Sequence, residues 1–346
     1  MKRNVVDKSG LEHQTIQQLF NPSDRDAVAG VTADGIDRRN FLGCMAWAGT
    51  GLLWSMAGGV PTSRLLAATL GGPEGIAGKR EDFTFVQISD SHIGFNKGAN
   101  PDVTGTLKKA IDRINAVPAG MKAPDFLIHT GDITQSSKES EFDTAQQVIR
   151  GAKAGEVFYV PGEHDFSLDD GAIYKQRFGK GTAGNGWYSY NHKGVHFIGL
   201  NNVVQVDAMG NLGPEQLAWL KADLAGLNAS TPIVVFAHIP LWMVYEKWGW
   251  GTKDGEQALT LLKRFGSVTV LNGHIHQVVQ KVEGNVSFHT AMATAFPQPA
   301  PGAAAGPGPM VVPAGKLETV LGVTNVEVVR GRNHLAVVDH TLSEGA

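Results

Sequence analysis

Five short segments constrain this chain more than anything else in it. They are Asp90-Ser91-His92, Gly131-Asp132, Gly162-Glu163-His164-Asp165, Ala237-His238 and Gly273-His274-Ile275-His276. Each supplies carboxylates or imidazoles directly after an apolar, β-branched run that reads as a buried strand. Side chains at successive strand ends converge in space although they are far apart in the chain. Asp, Glu and His gathered at one sheet edge form a ligand set for borderline divalent ions. Asp90 and His92 are two residues apart just past a strand end, so they point the same way, and His274 and His276 repeat that spacing after Gly273.

From Asp82 the sequence alternates between strands and helices. Strands are predicted at Phe83–Ile88, Ala123–His129, Val157–Val160, Ile233–Ala237 and Val268–Leu271. Helices are predicted over 103–117, over Glu139–Ala152 and from Pro214, with Pro suited to a first helical turn. Hairpins are predicted for Trp187–Asn191 with Val195–Leu200, for Val278–Val282 with Val286–Phe288, and for Thr319–Val329 with Leu335–Thr341. Helices mixed with many hairpins give an α/β class, a two-sheet β-sandwich flanked by helices. The predicted organisation is an N-terminal region over 1–68, a catalytic core over 79–295, a Pro/Gly/Ala-rich stretch over 296–315, and a hairpin over 316–343 that completes the fold. The stretch 296–315 has no apolar period; it reads as a surface linker, with a loop over the site as the alternative.

The chain has 346 residues and a formal net charge of -3, which gives no electrostatic sign of a nucleic-acid partner. Its one cysteine, Cys44, excludes an intrachain disulfide framework and a cysteine metal cluster. The N-terminal region reads as targeting sequence. Asp37-Arg38-Arg39-Asn40-Phe41-Leu42-Gly43 precedes a weakly apolar run to about Val60 and resembles a bacterial twin-arginine export signal. Asp37 and Gly43 depart from that pattern, which usually has Ser or Thr and Lys there. The expected partner is the twin-arginine translocation machinery, the expected location periplasmic or extracellular, and a membrane is involved only where the apolar run stays uncleaved as an anchor.

Taken in order, Asp-x-His, Gly-Asp, Gly-x-His-Asp, a lone His and Gly-His-x-His resemble the calcineurin-like metallophosphoesterase superfamily. The likeness covers about residues 82–292 and includes the segments at 210–220 and 235–240. The resemblance implies two divalent or trivalent ions (Mn, Fe or Zn) and a small phosphate-ester substrate, hydrolysed by a hydroxide shared between the ions. It implies that Asp90, His92 and His276 bind the first ion, that Asp132 bridges, and that residue 163, His238 and His274 bind the second. His164 is expected beside the phosphate as acid or charge stabiliser. Asp165 is grouped with it, orienting that loop or a ligand imidazole. The family normally has Asn at position 163, where this chain has Glu163. Glu163 either ligates and adds negative charge to the second site, which is the expectation, or points away and leaves that site weak. In the second case the chain is a metal-binding protein with reduced or lost catalysis. A further alternative is a nucleotide- or phospholipid-specific phosphoesterase. The Gly-Asp-x-x-Asp-Arg of protein Ser/Thr phosphatases is absent, and Gln135 stands near where purple acid phosphatases have a tyrosine iron ligand.

Beyond these residues, His129 reads as a satisfied strand-end histidine, His196 as structural, and His289 as a weaker candidate for substrate contact. Asn201 and Asn202 fall in loops that could face a cleft. The aromatic run Leu241–Trp250 reads as a loop pinned to the fold by its rings, with stacking on a substrate as the alternative.

Overall fold

The computed structural model describes residues 81–117, 123–204, 209–329 and 335–343, together with the backbone of two short strands, β1 (Leu52–Ala57) and β2 (Val60–Leu65). Among the described residues β1 and β2 pair only with each other, antiparallel, with Leu52 opposite Leu65. The arginine pair and the start of the apolar run lie outside the described residues. Among the described residues, no helix is long and apolar enough to cross a membrane.

The rest of the chain runs through β3 (Phe83–Ile88), α1 (Val103–Asn115), β4 (Phe126–His129), α2 (Glu139–Ile149), β5 (Glu156–Tyr159), α3 (Ala172–Phe178), β6 (Tyr188–His192), β7 (Val195–Gly199), α4 (Gly213–Ala225), β8 (Ile233–Phe236), α5 (Gly255–Leu262), β9 (Val268–Asn272), β10 (Gln280–Glu283), β11 (Val286–Thr290), β12 (Gly322–Val328) and β13 (Ala336–Thr341). Two sheets result, one ordered β13-β12-β3-β4-β5 and the other β10-β11-β9-β8-β7-β6. In the first, β3, β4 and β5 are parallel; in the second, β11, β9, β8 and β7 are parallel, with the antiparallel β10 and β6 at its edges. This is the two-sheet sandwich flanked by helices that the sequence predicts. Strand and helix ends shift by a few residues: β4 starts at Phe126 rather than Ala123, and α2 ends at Ile149.

Alternation along each strand explains the layering. In β3, Phe83 and Phe85 point between the sheets, while Val86 and Ile88 point outward under α1. In β8, Val234 and Phe236 point inward and Ile233 and Val235 outward under α4 and α5. Both faces are buried, so these strands read as unbroken apolar runs. The inner layer is aromatic: Phe126 stacks on Phe85 at 5.0 Å and meets Phe197 of the other sheet edge-on at 5.2 Å. Helix α1 presents Leu107, Ala110, Ile111 and Ile114 to the sheet and is capped by Asp102, whose carboxylate accepts from Gly105 N at 2.8 Å.

The C-terminal hairpin is integral. β12 pairs with β3 near the middle of its sheet, and Asp339 of β13 accepts from Thr324 and contacts His289 Nε2 at 3.0 Å. The two sheets are also tied where their parallel strands end, because the buried Gln87 donates to Thr130 Oγ1 at 2.9 Å and to Asn272 O at 3.1 Å. The parallel strands of both sheets therefore end at one edge, where ligands bind in α/β sheets.

Phe126 is 2% exposed and belongs to both ring contacts. Phe126→Ala is expected to cost about 3–5 kcal/mol of unfolding free energy, measured by denaturant titration.

Candidate metal centre

Loops leaving β3, β4, β5, β8 and β9 bring the five segments together. Their backbones are bound to one another before any side chain acts. Asp90 N donates to Gly131 O at 3.0 Å, His92 N to Asp132 O at 2.9 Å, and Gly273 N to His238 O at 2.9 Å. Gly162 lies so close to the next loop that a Cβ there would overlap the Asp132 carboxylate and backbone nitrogen. Among the described residues, eight non-glycine positions have positive φ, and five of them are Asp90, His92, Asp132, His274 and His276. Left-handed backbone at such residues costs roughly 1–3 kcal/mol each and persists where the surroundings fix it.

Two ligand groups form. Asp90, His92 and His276 make one, and Glu163, His238 and His274 the other. In the first, Asp90 Oδ1 is 3.2 Å from His276 Nε2, and His92 Nε2 is also 3.2 Å from His276 Nε2. In the second, Glu163 Oε2 is 2.9 Å from His238 Nε2 and Oε1 is 2.9 Å from His274 Nδ1. Asp132 lies between them, its Oδ2 3.4 Å from both His92 Nε2 and His238 Nε2. Ion–ligand bonds of about 2.1 Å give neighbouring ligand atoms edges of about 3.0–3.4 Å in tetrahedral or octahedral shells, so these separations fit metal shells.

Hydrogen bonding supports the same reading. Glu163 Oε2, His238 Nε2 and His274 Nδ1 are buried and make no hydrogen bond despite their closeness. Their atoms converge on a common point instead of pointing at one another, which orphaned buried polar groups tolerate only with a shared partner. The opposite edges of the imidazoles are anchored: His276 Nδ1 contacts Phe296 O at 2.6 Å and His238 Nδ1 contacts Thr130 O at 2.7 Å. A carbonyl accepts only, so both rings carry hydrogen at Nδ1 and leave Nε2 as the ligand atom. Asp132 Oδ1 accepts from His164 N at 2.9 Å, which leaves Oδ2 for the centre.

Electrostatics agree. Burial alone would raise Asp90, but His276, His238 and His92 hold its carboxyl well below the usual range. Burial pushes His92 down to about 3, which keeps it neutral and able to ligate. Burial also disfavours the charge on Glu163, yet His274 and His238 hold its carboxyl well below its ordinary value. The predicted ligand set is thus brought together complete, with Glu163 turned into the second group rather than away from it.

A model of the calcineurin-like phosphoesterase family matches residues 83–278. The chain belongs to that family. It is a metal-dependent phosphoesterase. It is 25% identical over 232 residues to the glycerophosphodiester phosphodiesterase GpdQ of Enterobacter lignolyticus, covering 61% of this chain and 77% of that protein. It is 30% identical over 134 residues to purple acid phosphatase 15 of Arabidopsis thaliana, covering 35% of this chain and 24% of the plant protein. GAP50, the anchor in the inner membrane complex of Plasmodium, shares the fold at 16% identity and a TM-score of 0.52, over 77% of this chain and 86% of that one.

The cleft of this phosphoesterase, about 370 Å³, is lined by five of the ligands, His92, Asp132, Glu163, His274 and His276, and by His164. Trp248, Trp250, Phe95, Phe296 and Pro307–Pro309 also line it. The stretch after residue 296, which reads as a linker, therefore borders the cleft. The reason is its anchorage: Phe296 is buried against the rings of His92 and His276, both at 4.8 Å, and Gln298 Nε2 donates to His274 O at 3.0 Å. In the aromatic run, Leu241, Trp242 and Trp250 are buried and pin the loop, while the half-buried Trp248 reaches the cleft.

Asp165 does not line the cleft and touches no imidazole; of its two expected roles it takes the first, orienting the loop. It is fully buried, and its carboxylate accepts from Gly162 N, Ile133 N, Thr134 N and Thr134 Oγ1 at 2.8–3.0 Å. It latches the Glu163 loop to the Asp132 loop. Burial and the Asp132 charge push its carboxyl up to about 7, against the pull of those backbone donors. His129 is also internal: Gly131 N donates to its Nδ1 at 3.2 Å, its Nε2 contacts Ser91 Oγ at 2.9 Å, and Ser91 passes the chain on to Ile133 O. His196 bonds Asn191 and Asp223, and His289 faces Asp339 and Gln280, so His289 does not reach substrate. Asn202 supports the His238 loop through Ile239 O at 2.7 Å instead of facing the cleft, and Asn201 is likewise buried.

Sequence reasoning passed over Lys97, Phe296 and Gln298. Lys97 is an exposed loop lysine on the cleft, and its sequence context carries no signal. Phe296 had one, as the last large apolar residue before the Pro-rich stretch. Asp165→Ala would strand three buried backbone donors. It is expected to destabilise the protein by about 2–4 kcal/mol and to lower metal stoichiometry, read by thermal unfolding and by metal analysis after dialysis.

Proposed function

We propose that this phosphoesterase hydrolyses small phosphate esters, diesters or monoesters, at a two-ion centre, after export through the twin-arginine route to the periplasm or beyond the cell. One observation carries the catalytic reading: two ligand groups share Asp132 Oδ2 at equal distances of 3.4 Å. Asp90, His92, Asp132 and His276 would hold one ion, and Asp132, Glu163, His238 and His274 the other. The mixed imidazole and carboxylate donors suit Mn, Fe or Zn. When bound, two such ions polarise phosphate oxygens and lower the pKa of a coordinated water towards ~7. The names of the curated relatives, a glycerophosphodiester phosphodiesterase and a purple acid phosphatase, support ester substrates of this size.

The protein's own contribution is positioning and proton supply. His164 lines the cleft beside Asp132 and His92, and its Nδ1 is fixed on Gln135 O at 2.8 Å. That leaves Nε2 to give a proton to the departing oxygen. Burial pulls the His164 imidazole down, but Asp132, Glu163 and the Gln135 carbonyl more than offset this, and its pKa is raised. The aromatic and proline residues of the lining give the cleft an apolar surface beside the ligands. The reading in which Glu163 spoils the second site lacks support from the geometry, since both its oxygens sit 2.9 Å from ligand imidazoles.

Protein loaded with Mn is expected to turn over bis(4-nitrophenyl) phosphate or 4-nitrophenyl phosphate. His164→Ala should lower kcat by about 10²–10⁴-fold with metal content unchanged. Metal-bound protein inert to both esters would sink the reading. For export, the pair Arg38-Arg39 in front of Phe41-Leu42 supports the route. Arg38→Lys with Arg39→Lys should move the protein from the periplasmic to the cytoplasmic fraction of a bacterial host with that pathway, assayed by fractionation; unchanged export would remove the signal.

A further inference from the structure

We propose that Glu163 is a specificity-determining residue that biases this centre towards phosphodiesters, which carry one negative charge, over phosphomonoesters, which carry two. The inference rests on the two-ion phosphoesterase reading and adds to it a substrate charge class. Three carboxylates converge here, Asp90, Asp132 and Glu163, with four imidazoles. Against two divalent ions the three carboxylates leave a net charge of about +1, whereas a neutral amide at position 163 leaves about +2.

Asp132 and Glu163 both line the cleft, and Glu163 is the carboxylate whose presence distinguishes this chain from one with an amide at position 163. The side chains of Asp90 and Asp132 are 0% and 2% exposed, but that of Glu163 is 27% exposed and lines the cleft. Its carboxylate lies across the two imidazoles of the second group, the buried Oε2 on His238 and Oε1 on His274, so its charge is fixed at the cleft wall. The backbone beneath it is fixed too, because Gly162 N is bound by the buried Asp165 and allows no Cβ at that position. The negative charge therefore has a set place beside the incoming phosphate.

A phosphomonoester has its second pKa near ~6 and is mainly dianionic at pH 7.5. A diester stays monoanionic at any pH above its single low pKa. Repulsion from Glu163 acts on both, and acts about twice as strongly on the dianion. Outside the ligand set the cleft is also lined by Lys97, which favours any anion and is unchanged by substitution at 163, and by the candidate acid His164. Relative to an amide, Glu163 thus lowers affinity for dianions more than for monoanions. Its charge also strengthens the hold on the second ion, so it raises metal retention and lowers monoester affinity together.

The test compares full-length wild type with Glu163→Gln, which keeps the shape and removes the charge. Both are brought to two Mn per chain, verified by metal analysis and by native mass spectrometry. Isothermal titration then uses inorganic phosphate as the dianion-rich probe and dimethyl phosphate as the monoanion. The expected result is that Glu163→Gln gains about tenfold in the affinity ratio of phosphate over dimethyl phosphate. The kcat/KM ratio of 4-nitrophenyl phosphate over bis(4-nitrophenyl) phosphate should move the same way. An affinity ratio within twofold of wild type, with both ions bound, overturns the proposal. A Glu163→Gln protein that takes up one ion at every Mn concentration also overturns it, since Glu163 then acts only by holding metal. Wild type that hydrolyses neither ester defeats the phosphoesterase reading instead, while the two anion titrations still judge the charge effect of Glu163.

Discussion

Asp132 is the residue on which the rest of this structure turns. Its carbonyl accepts from His92 N, its Oδ1 from His164 N, and its Oδ2 stands equally far from an imidazole of each ligand group. One side chain thus sets the spacing of the two groups and the position of the candidate acid. That is possible because β3, β4 and β5 are parallel neighbours, whose ends lie side by side, and because β8 and β9 of the second sheet end at the same edge. The aromatic layer between the sheets holds the two edges in register. Fold stability and site geometry are therefore coupled through a few contacts, such as Gln87 reaching across to Asn272.

The ligands and the fold class were legible because both follow from local pattern. A buried strand announces itself by an apolar run, and a polar doublet at its end announces a loop. The ligand identities survive transfer to the structure because each sits within a residue or two of a strand end, where direction is set by the backbone. What the sequence did not carry was the set of contacts made by backbone carbonyls and by distant loops. Thr130 O and Phe296 O orient two ligand imidazoles, yet a carbonyl is present at every residue and leaves no mark in the sequence. Asp165 shows the same limit. The sequence leaves its carboxylate a choice between loop and imidazole, and burial with four donors settles on the loop.

The stretch after residue 296 misled for a different reason. Pro, Gly and Ala without a period normally mean chain that runs over the surface. Here the segment is tied at its start, where Thr294 N donates to Ser89 O and Ala295 N to Asp90 O, and it is tied again where Met310 N donates to Pro297 O. A low-complexity composition tells how much core a segment can build and says nothing about what its backbone can bind. Prolines also suit a cleft wall, because they present apolar surface without donors that would need partners.

The strain at the ligands completes this logic. Asp90, His92, Asp132, His274 and His276 all hold left-handed backbone, which a side chain resists. In an extended conformation Asp90 and His92 would continue the strand, and the loop hydrogen bonds from Asp90 N and His92 N to the neighbouring turn would be lost. The tight turns instead fold each pair back on itself, so that residues two apart face one point. Several kcal/mol of conformational cost are concentrated in this way at one edge, and the inter-loop hydrogen bonds and buried strands offset it. The same argument explains why position 163 can change chemically without disturbing the rest. Glu163 has no left-handed backbone to defend, and its longer side chain reaches the second group from a turn that Asp165 already fixes.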